Sequence, residues 1–104
     1  MNLLEGIKLR LNEYLKKEIL SAIYSSFGDV KVILFGSRVD DTKRGGDFDI
    51  VIVCNYDKKE FKKRKIEFKK QLFLKNIDLP IDLVNYNLAD DVLKREVERK
   101  GIEL

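Results

Sequence analysis

Two short runs of almost entirely apolar residues constrain the fold of this chain more than any other feature. The runs, VKVILF at residues 30–35 and FDIVIV at residues 48–53, are rich in β-branched and aromatic side chains. Such runs predict strands that are covered on both faces of a sheet. The mostly polar segment between them, residues 36–46, is too long for a tight hairpin, so we expect a loop or a short helix there.

Helical periodicity surrounds these two runs. Apolar residues at intervals of three and four predict a helix over residues 9–27, which Gly28 and Asp29 would end. We expect a second helix over residues 57–75 and a third over residues 88–99, with Asn87 as its N-cap. The side chains expected on the inner faces are Leu11, Tyr14, Leu15, Ile19, Ala22, Ile23 and Phe27 in the first helix, Phe61, Lys65, Phe68 and Leu72 with Ile66 and Phe73 nearby in the second, and Leu88, Val92, Leu93 and Val97 in the third.

Two further short strands complete the predicted order. Residues 79–84 favour a strand with Pro80 near its start, and residues 102–104 can add an edge strand. The order α-β-β-α-β-α predicts an α/β (α+β) domain with a small mixed sheet and helices packed mainly on one face. The chain of 104 residues, with no internal repeat or low-complexity linker, fits a single domain over residues 1–104.

Composition excludes several classes of site. The single cysteine, Cys54, cannot form an intramolecular disulfide and is expected to act as a small hydrophobe at the end of a buried strand. The absence of histidine excludes zinc sites that combine Cys with His, and it excludes catalytic histidine. No stretch approaches the ~20 apolar residues that span a membrane, and no signal peptide is recognisable, so we expect a cytoplasmic location and no membrane partner.

The positive charge is concentrated in one segment. The chain carries a formal net charge of +3, whereas residues 57–75 contain nine Lys or Arg against three Asp or Glu. This composition is typical of a solvated helix face, although an acidic partner or an RNA surface is an alternative. Tyr56, Phe61 and Phe68 do not form the aromatic platform of a single-strand binder, so nucleic acid is the less favoured partner.

Three aspartates interrupt segments that otherwise predict buried strands. Asp47 and Asp49 are two residues apart, so they point to the same face of their strand. Asp82 lies between Ile81 and Leu83 in the next predicted strand, and the three carboxylates converge if the two strands are neighbours. Like charges in an apolar setting need a cation between them. Three oxygen ligands without His favour Mg²⁺ or Mn²⁺ over zinc, and two such ions can support an in-line displacement at phosphorus.

A phosphate site is predicted where the first strand ends. Gly36 lets a phosphate approach the backbone, and the Ser37 hydroxyl and the following N–H groups can donate hydrogen bonds to it. Arg38, Lys43 and Arg44 are close enough in sequence for one or more to neutralise a polyphosphate. Arg38 is equally compatible with a structural ion pair.

At these residues the chain resembles a known family. The run FGSRVDDTKRGGDFDIVIV resembles the Gly-Ser, spacer, Asp-x-Asp signature of the polymerase-beta-like nucleotidyltransferases, with nine residues between Ser37 and Asp47. The segment IDLV around Asp82 is similar to the strand that carries the third carboxylate in that superfamily. The length and the order of elements resemble the minimal nucleotidyltransferases, including those paired with helical HEPN-type partners in toxin–antitoxin operons.

The resemblance implies a role for each matching residue. Gly36 and Ser37 would hold the β and γ phosphates of a nucleoside triphosphate. From their position in the sequence, we expect Arg38 and Arg44 to assist in binding it. Asp47 and Asp49 would bind two Mg²⁺ ions, while Asp82 would bind the catalytic ion and help to deprotonate the attacking hydroxyl. The implied reaction transfers a nucleoside monophosphate and releases pyrophosphate. Our leading hypothesis is that AMP is transferred from ATP to a hydroxyl of a partner protein.

Two alternatives remain open from the sequence. The fold could act mainly as a binding module that neutralises a helical partner, although binding alone gives no reason to retain three costly acids. The acceptor could instead be a small hydroxylated molecule or an RNA end. The base, the acceptor and the oligomeric state do not follow from the sequence.

Overall fold

The computed structural model describes residues 13–35 and 48–104. Its elements are helix α1 (Glu13–Phe27), strands β1 (Lys31–Phe35) and β2 (Phe48–Val53), helix α2 (Lys58–Leu74), strand β3 (Ile81–Asn85), a 3-10 turn (Tyr86–Leu88), helix α3 (Asp91–Lys100) and strand β4 (Ile102–Glu103). This order agrees with the predicted one, including the short final strand. Residues 36–47, which contain most of the predicted phosphate and metal site, lie outside the described residues.

The four strands form one mixed sheet in the order β3-β2-β1-β4. Strand β1 pairs antiparallel with β2 and with β4, whereas β2 and β3 are parallel neighbours. The parallel pair follows from the connection, because α2 carries the chain back along the sheet before β3 begins. The predicted class, a small mixed sheet with helices, is confirmed.

The main core lies between one face of this sheet and the helices α1 and α2. Alternate strand residues supply the sheet side, and helical residues at intervals of three and four supply the other side. The core residues include Val32, Leu34, Ile50, Ile52, Ile81 and Leu83 from the strands, and Ile19, Ala22, Ile23, Phe27, Phe61, Phe68 and Leu72 from the helices. Cys54 is buried in the same core, as expected of a small hydrophobe.

Helix α3 and Gly101 approach the opposite face of the sheet. Val97 is the buried residue of α3, and the Gly101 N–H donates to the Val97 carbonyl at 2.7 Å. A Cβ added to Gly101 would lie 2.5 Å from Cγ2 of Ile33 in β1, so only glycine allows this close approach. The two longer helices therefore share one face, and the short α3 reaches the other.

The end of α1 agrees with the prediction, whereas one of its expected core residues does not. Gly28 has a φ of 85° and its N–H donates to the Tyr24 carbonyl, which is the left-handed geometry that ends many helices. Tyr14 was expected on the inner face but is exposed. The reason is angular, because Tyr14 lies about 100° around the helix from Leu15, which packs against the core.

Helix α2 begins where the sequence predicts. The Asp57 side chain accepts a hydrogen bond from the Glu60 N–H at 2.8 Å, which is an N-cap. Ile66 and Phe73, expected near the inner face, are instead exposed. Both lie more than about 100° around the helix from Phe61, outside the sector that contacts the sheet.

The predicted start of α3 is wrong. Asp90 is the N-cap, since its side chain accepts from the Leu93 N–H at 2.8 Å. The Asn87 side chain instead donates to the Cys54 carbonyl and to Asn55. Leu88 and Val92, expected on the inner face, are both exposed. Leu88 precedes the helix, and Val92 lies about 140° around the helix from the buried Val97.

None of the helices in residues 13–35 and 48–104 is long and apolar enough to cross a membrane. A cytoplasmic location stays a prediction.

Candidate active site

Two of the three predicted carboxylates are cross-strand neighbours. Asp49 of β2 and Asp82 of β3 are register partners in the parallel pair. Adjacent strands are about 4.8 Å apart, and paired residues of parallel strands point to the same face of the sheet. The expected convergence of Asp49 and Asp82 is therefore present in the fold.

The surroundings of the pair are partly apolar. Asp49 and Asp82 are both half-buried. Two residues further along each strand, on the same face, Val51 pairs with Val84, and Val51 is almost completely buried. This valine pair limits access of water from one side, which strengthens the interaction of the carboxylates with any bound cation.

The donor chemistry of the pair fits a hard divalent cation. Two carboxylates held side by side repel each other unless a cation lies between them, and oxygen ligands suit Mg²⁺ or Mn²⁺. Within residues 13–35 and 48–104, no group of three His, Cys, Asp or Glu side chains is placed to hold a metal ion. The third expected ligand, Asp47, lies outside the described residues, and a metal site remains a proposal.

Strand β1 ends beside this carboxylate pair. Phe35, its last residue, is the register partner of Asp49, so Phe35, Asp49 and Asp82 form one row across three strands. Gly36 is covalently next to Phe35 in the chain. The predicted phosphate-binding residues Gly36, Ser37, Arg38, Lys43 and Arg44 all lie outside the described residues.

The polar residues at the opposite end of β3 are structural. The Asn85 side chain donates to the Tyr56 carbonyl at 2.9 Å and accepts from the Asn87 N–H, which ties β3 to the segment after β2. Tyr86 donates to a carboxylate oxygen of Glu98 at 3.0 Å, and this bond, with burial and the negative charge, raises the pKa of the Tyr86 phenol. This pKa shift therefore reflects the attachment of α3 rather than chemistry at the aspartate pair.

One feature of the described residues was missed by the sequence analysis. A groove of about 640 Å³ lies between the last turn of α2 and residues 76–81, which lead into β3. Ile81, the residue before Asp82, lines it, and so does the exposed Phe73. The sequence did contain a signal for this groove, namely the two apolar residues Ile66 and Phe73 on the outer side of a strongly basic helix.

The fold and the paired aspartates together define a nucleotidyltransferase domain of the polymerase beta type. The family model described as polymerase beta, nucleotidyltransferase, matches residues 11–104. The chain belongs to this family, which confirms the enzyme class expected from the sequence. No curated protein matches the sequence.

Solved structures with the same fold include components of toxin–antitoxin complexes. A double-mutant form of the toxin–antitoxin MntA–HpeT is similar with a TM-score of 0.64 and 20% identity, covering 85% of this chain and 70% of that chain. A single-mutant form of MntA–HpeT gives a TM-score of 0.60 and 22% identity, with coverage of 86% and 69%. A toxin–antitoxin with AMP-PNP gives 0.64 and 21%, with coverage of 85% and 70%. The chain is thus similar in fold to a minimal, MntA-like nucleotidyltransferase.

Proposed function

We propose that this nucleotidyltransferase transfers AMP from ATP to a hydroxyl of a partner protein in a Mg²⁺-dependent reaction, and that its partner is a helical HEPN-type toxin. The observation that carries the proposal is the register pairing of Asp49 with Asp82 on one half-buried face. The similarity in fold to toxin–antitoxin components, one of them with AMP-PNP, supports the choice of partner and nucleotide.

In this proposal Asp49, Asp82 and Asp47 hold the metal ions. Mg²⁺ bound there would supply charge neutralisation at the α-phosphate and at the leaving pyrophosphate. Gly36 and Ser37 would bind the β and γ phosphates, with Arg38 or Arg44 neutralising their charge.

The reaction itself is a displacement at the α-phosphorus. The acceptor oxygen forms a bond to this phosphorus, and the bond from phosphorus to the α–β bridging oxygen breaks with its electrons on the leaving pyrophosphate. Asp82 accepts the proton of the acceptor hydroxyl, so its carboxylate acts as the general base. The products are the nucleotidylated hydroxyl and pyrophosphate.

The test follows label from α-phosphate-labelled ATP. The purified protein and Mg²⁺ are incubated with lysate of the source organism, and label is measured in protein, RNA and small-molecule fractions. We expect a labelled protein band that Asp49→Asn reduces at least about a hundredfold, because a metal ligand is lost. The matched control is Asp29→Asn, an exposed aspartate in the α1–β1 turn, which should label like the wild type.

The other results have defined meanings. Label in RNA or small molecules would overturn the protein acceptor and keep the transferase. Equal labelling by the wild type and Asp49→Asn would contradict the assigned site. No label with any of the four nucleotides, from folded protein, would leave neutralisation by binding alone as the better description.

A further inference from the structure

One flank of α2 displays apolar and basic side chains in alternation. Lys62, Ile66, Lys69 and Phe73 follow one another at intervals of four, three and four, and form what we call the lateral stripe. All four are exposed, with Ile66 at 60% and Phe73 at 80% of their full accessibility. Single exposed apolar residues are common, but two that lie in line beside a mostly apolar groove form the kind of patch that marks an interaction site.

The positive charge of the stripe is uncompensated in the described residues. On the flank that faces α1, Arg64 pairs with Glu60 at 3.0 Å and Lys75 pairs with Glu18 at 2.6 Å. Across residues 13–35 and 48–104, neither Lys62 nor Lys69 forms an ion pair. The stripe therefore presents two lysines without acidic partners, beside two exposed apolar side chains.

The spacing of the stripe matches the way in which helices pack. Intervals of three and four keep side chains on one line along the helix, and a second helix can place its own side chains between them. The groove at the end of the stripe gives the surface a concave part, with Leu72 and Phe73 as one wall and residues 76–81 as the other. Its volume of about 640 Å³ is sufficient for large apolar side chains of a partner.

The position of the stripe relates it to the aspartate pair. The sheet order places β3 at an edge of the described sheet, and the groove lies where the chain enters β3. Ile81 lines the groove from the helix side of the sheet, and the next residue, Asp82, points to the opposite face. A partner seated in the groove would therefore lie across the sheet from the Asp82 carboxylate, and a group on the partner would reach this carboxylate around the β3 edge of the described sheet.

We infer that the lateral stripe and its groove form a docking surface for an amphipathic acidic helix of a partner protein. Apolar side chains of that helix would contact Ile66 and Phe73 and enter the groove, while its carboxylates would pair with Lys62 and Lys69. The occupant is stated by its chemistry, and its assignment as the acceptor rests on the proposed function. Docking brings the acceptor to the edge of the sheet that carries Asp82.

The surface chemistry favours a protein over nucleic acid. Both would be attracted by the lysines, since clustered positive charge binds polyanions without sequence specificity. Single-stranded nucleic acid also needs aromatic faces for successive bases, and the stripe offers Phe73 as its single aromatic side chain. An apolar centre with charged neighbours is instead the usual composition of a protein interface.

A defined peptide tests the surface without any catalysis. The probe is a fluorescent synthetic helix of about 20 residues with leucine at intervals of three and four and glutamate beside each leucine. Its binding to the full chain is measured by anisotropy without ATP or Mg²⁺. A scrambled peptide of the same composition and a single-stranded oligouridylate are measured in parallel. We expect the ordered peptide to bind at least about tenfold more tightly than either.

Two variant pairs locate the binding on α2. Lys62→Glu with Lys69→Glu should weaken peptide binding about tenfold or more, whereas Lys17→Glu with Lys100→Glu makes the same charge change away from α2 and should cost less than about threefold. Phe73→Ser should weaken binding about tenfold, and Leu74→Ser, a neighbour that is 68% exposed, less than about twofold. Circular dichroism checks that all variants retain the fold.

The outcomes separate docking from the proposed reaction. The docking surface would be overturned if the wild type bound no peptide, or if the two lysine pairs lost the same amount of binding. It would also be overturned if the scrambled peptide bound as tightly as the ordered one, or if the oligouridylate bound more tightly. Asp49→Asn should bind the peptide normally, because the stripe does not include the active site. Failure of AMP transfer with intact peptide binding would therefore reject the reaction and retain the surface.

Discussion

The chemistry of this protein depends on two aspartates in strands whose other residues are apolar. Asp49 is followed in β2 by IVIV, and Asp82 lies between Ile81 and Leu83 in β3. An acid at such a position costs stability unless it is compensated, because water is partly excluded and the second carboxylate is adjacent. The register of β2 and β3 places both carboxylates side by side, so the loss of hydration and the mutual repulsion act at the same site. This is the strongest argument for a cation there.

At the residue scale we predict that Asp82→Asn removes stabilisation by Mg²⁺. Wild-type protein should gain about 2.7 kcal/mol when the free ion exceeds its dissociation constant about a hundredfold, since only the folded state holds the site. Thermal melts with and without Mg²⁺ measure this gain independently of activity. Without metal, Asp82→Asn should be at least as stable as the wild type, because a neutral amide no longer repels Asp49. An unchanged Mg²⁺ shift in Asp82→Asn would contradict the assignment of this residue as a ligand.

At the scale of single elements, helix starts depend on which side chain is free to cap. Two candidates precede α3, and both have the correct chemistry for an N-cap. The Asn87 side chain donates hydrogen bonds to the Cys54 carbonyl and to Asn55, whereas the Asp90 side chain accepts one from the Leu93 N–H. Which of the two residues caps α3 therefore depends on a contact with the segment after β2, more than 30 residues earlier in the chain.

We predict that Asp90→Ala destabilises the protein by about 1 kcal/mol, because the α3 N-terminus loses its cap. Urea denaturation gives the free energy of unfolding. The control is Asp91→Ala, one residue later in the first turn. The Asp91 carboxylate interacts favourably with the helix dipole but does not accept the hydrogen bond from the Leu93 N–H. That change should cost less than about 0.5 kcal/mol. Equal losses in the two variants would show that the charge, rather than the capping bond, stabilises α3.

At the scale of the whole molecule, side chains from distant segments complete the end of α1. The guanidinium of Arg64 donates to the Ser26 carbonyl at 3.1 Å and lies 4.0 Å from the centre of the Tyr56 ring. The Tyr56 hydroxyl donates to the Phe27 carbonyl at 2.9 Å. These bonds satisfy carbonyls that a helix end leaves without internal partners, and they join α1, α2 and the segment between β2 and α2.

We predict that Arg64→Ala costs about 1–3 kcal/mol in free energy of unfolding, because a hydrogen bond from a charged donor and a cation–π contact are lost together. Lys63→Ala, an exposed neighbour on the same helix, should cost less than about 0.5 kcal/mol. Arg64→Lys should recover only part of the loss, since an ammonium group cannot replace both Nε and Nη1. Full recovery by lysine would indicate that charge alone matters.

Much of the fold was predictable because its local signals agree with the tertiary structure. Strands β1 and β2, the start of α2 and the end of α1 at Gly28 were predicted correctly, because each depends on neighbours within a few residues. Tyr14 and Val92 were assigned wrongly to inner faces, and Ile66 and Phe73 wrongly near one, since an apolar residue close to a stripe can lie outside the buried sector. Leu88 was also assigned to an inner face but precedes its helix. The periodicity of apolar residues predicts which side of a helix is buried, but it does not give the width of the buried sector.

The sequence by itself determined the order of the elements, the oxygen-rich character of the site and its candidate residues, because these depend on residue type and spacing along one chain. Only the tertiary structure decided that β2 and β3 are parallel neighbours with Asp49 opposite Asp82, and that the flank of α2 carrying Phe73 adjoins the entry to β3. Strand neighbours and exposed flanks are set by packing between distant segments, and no local pattern contains that information.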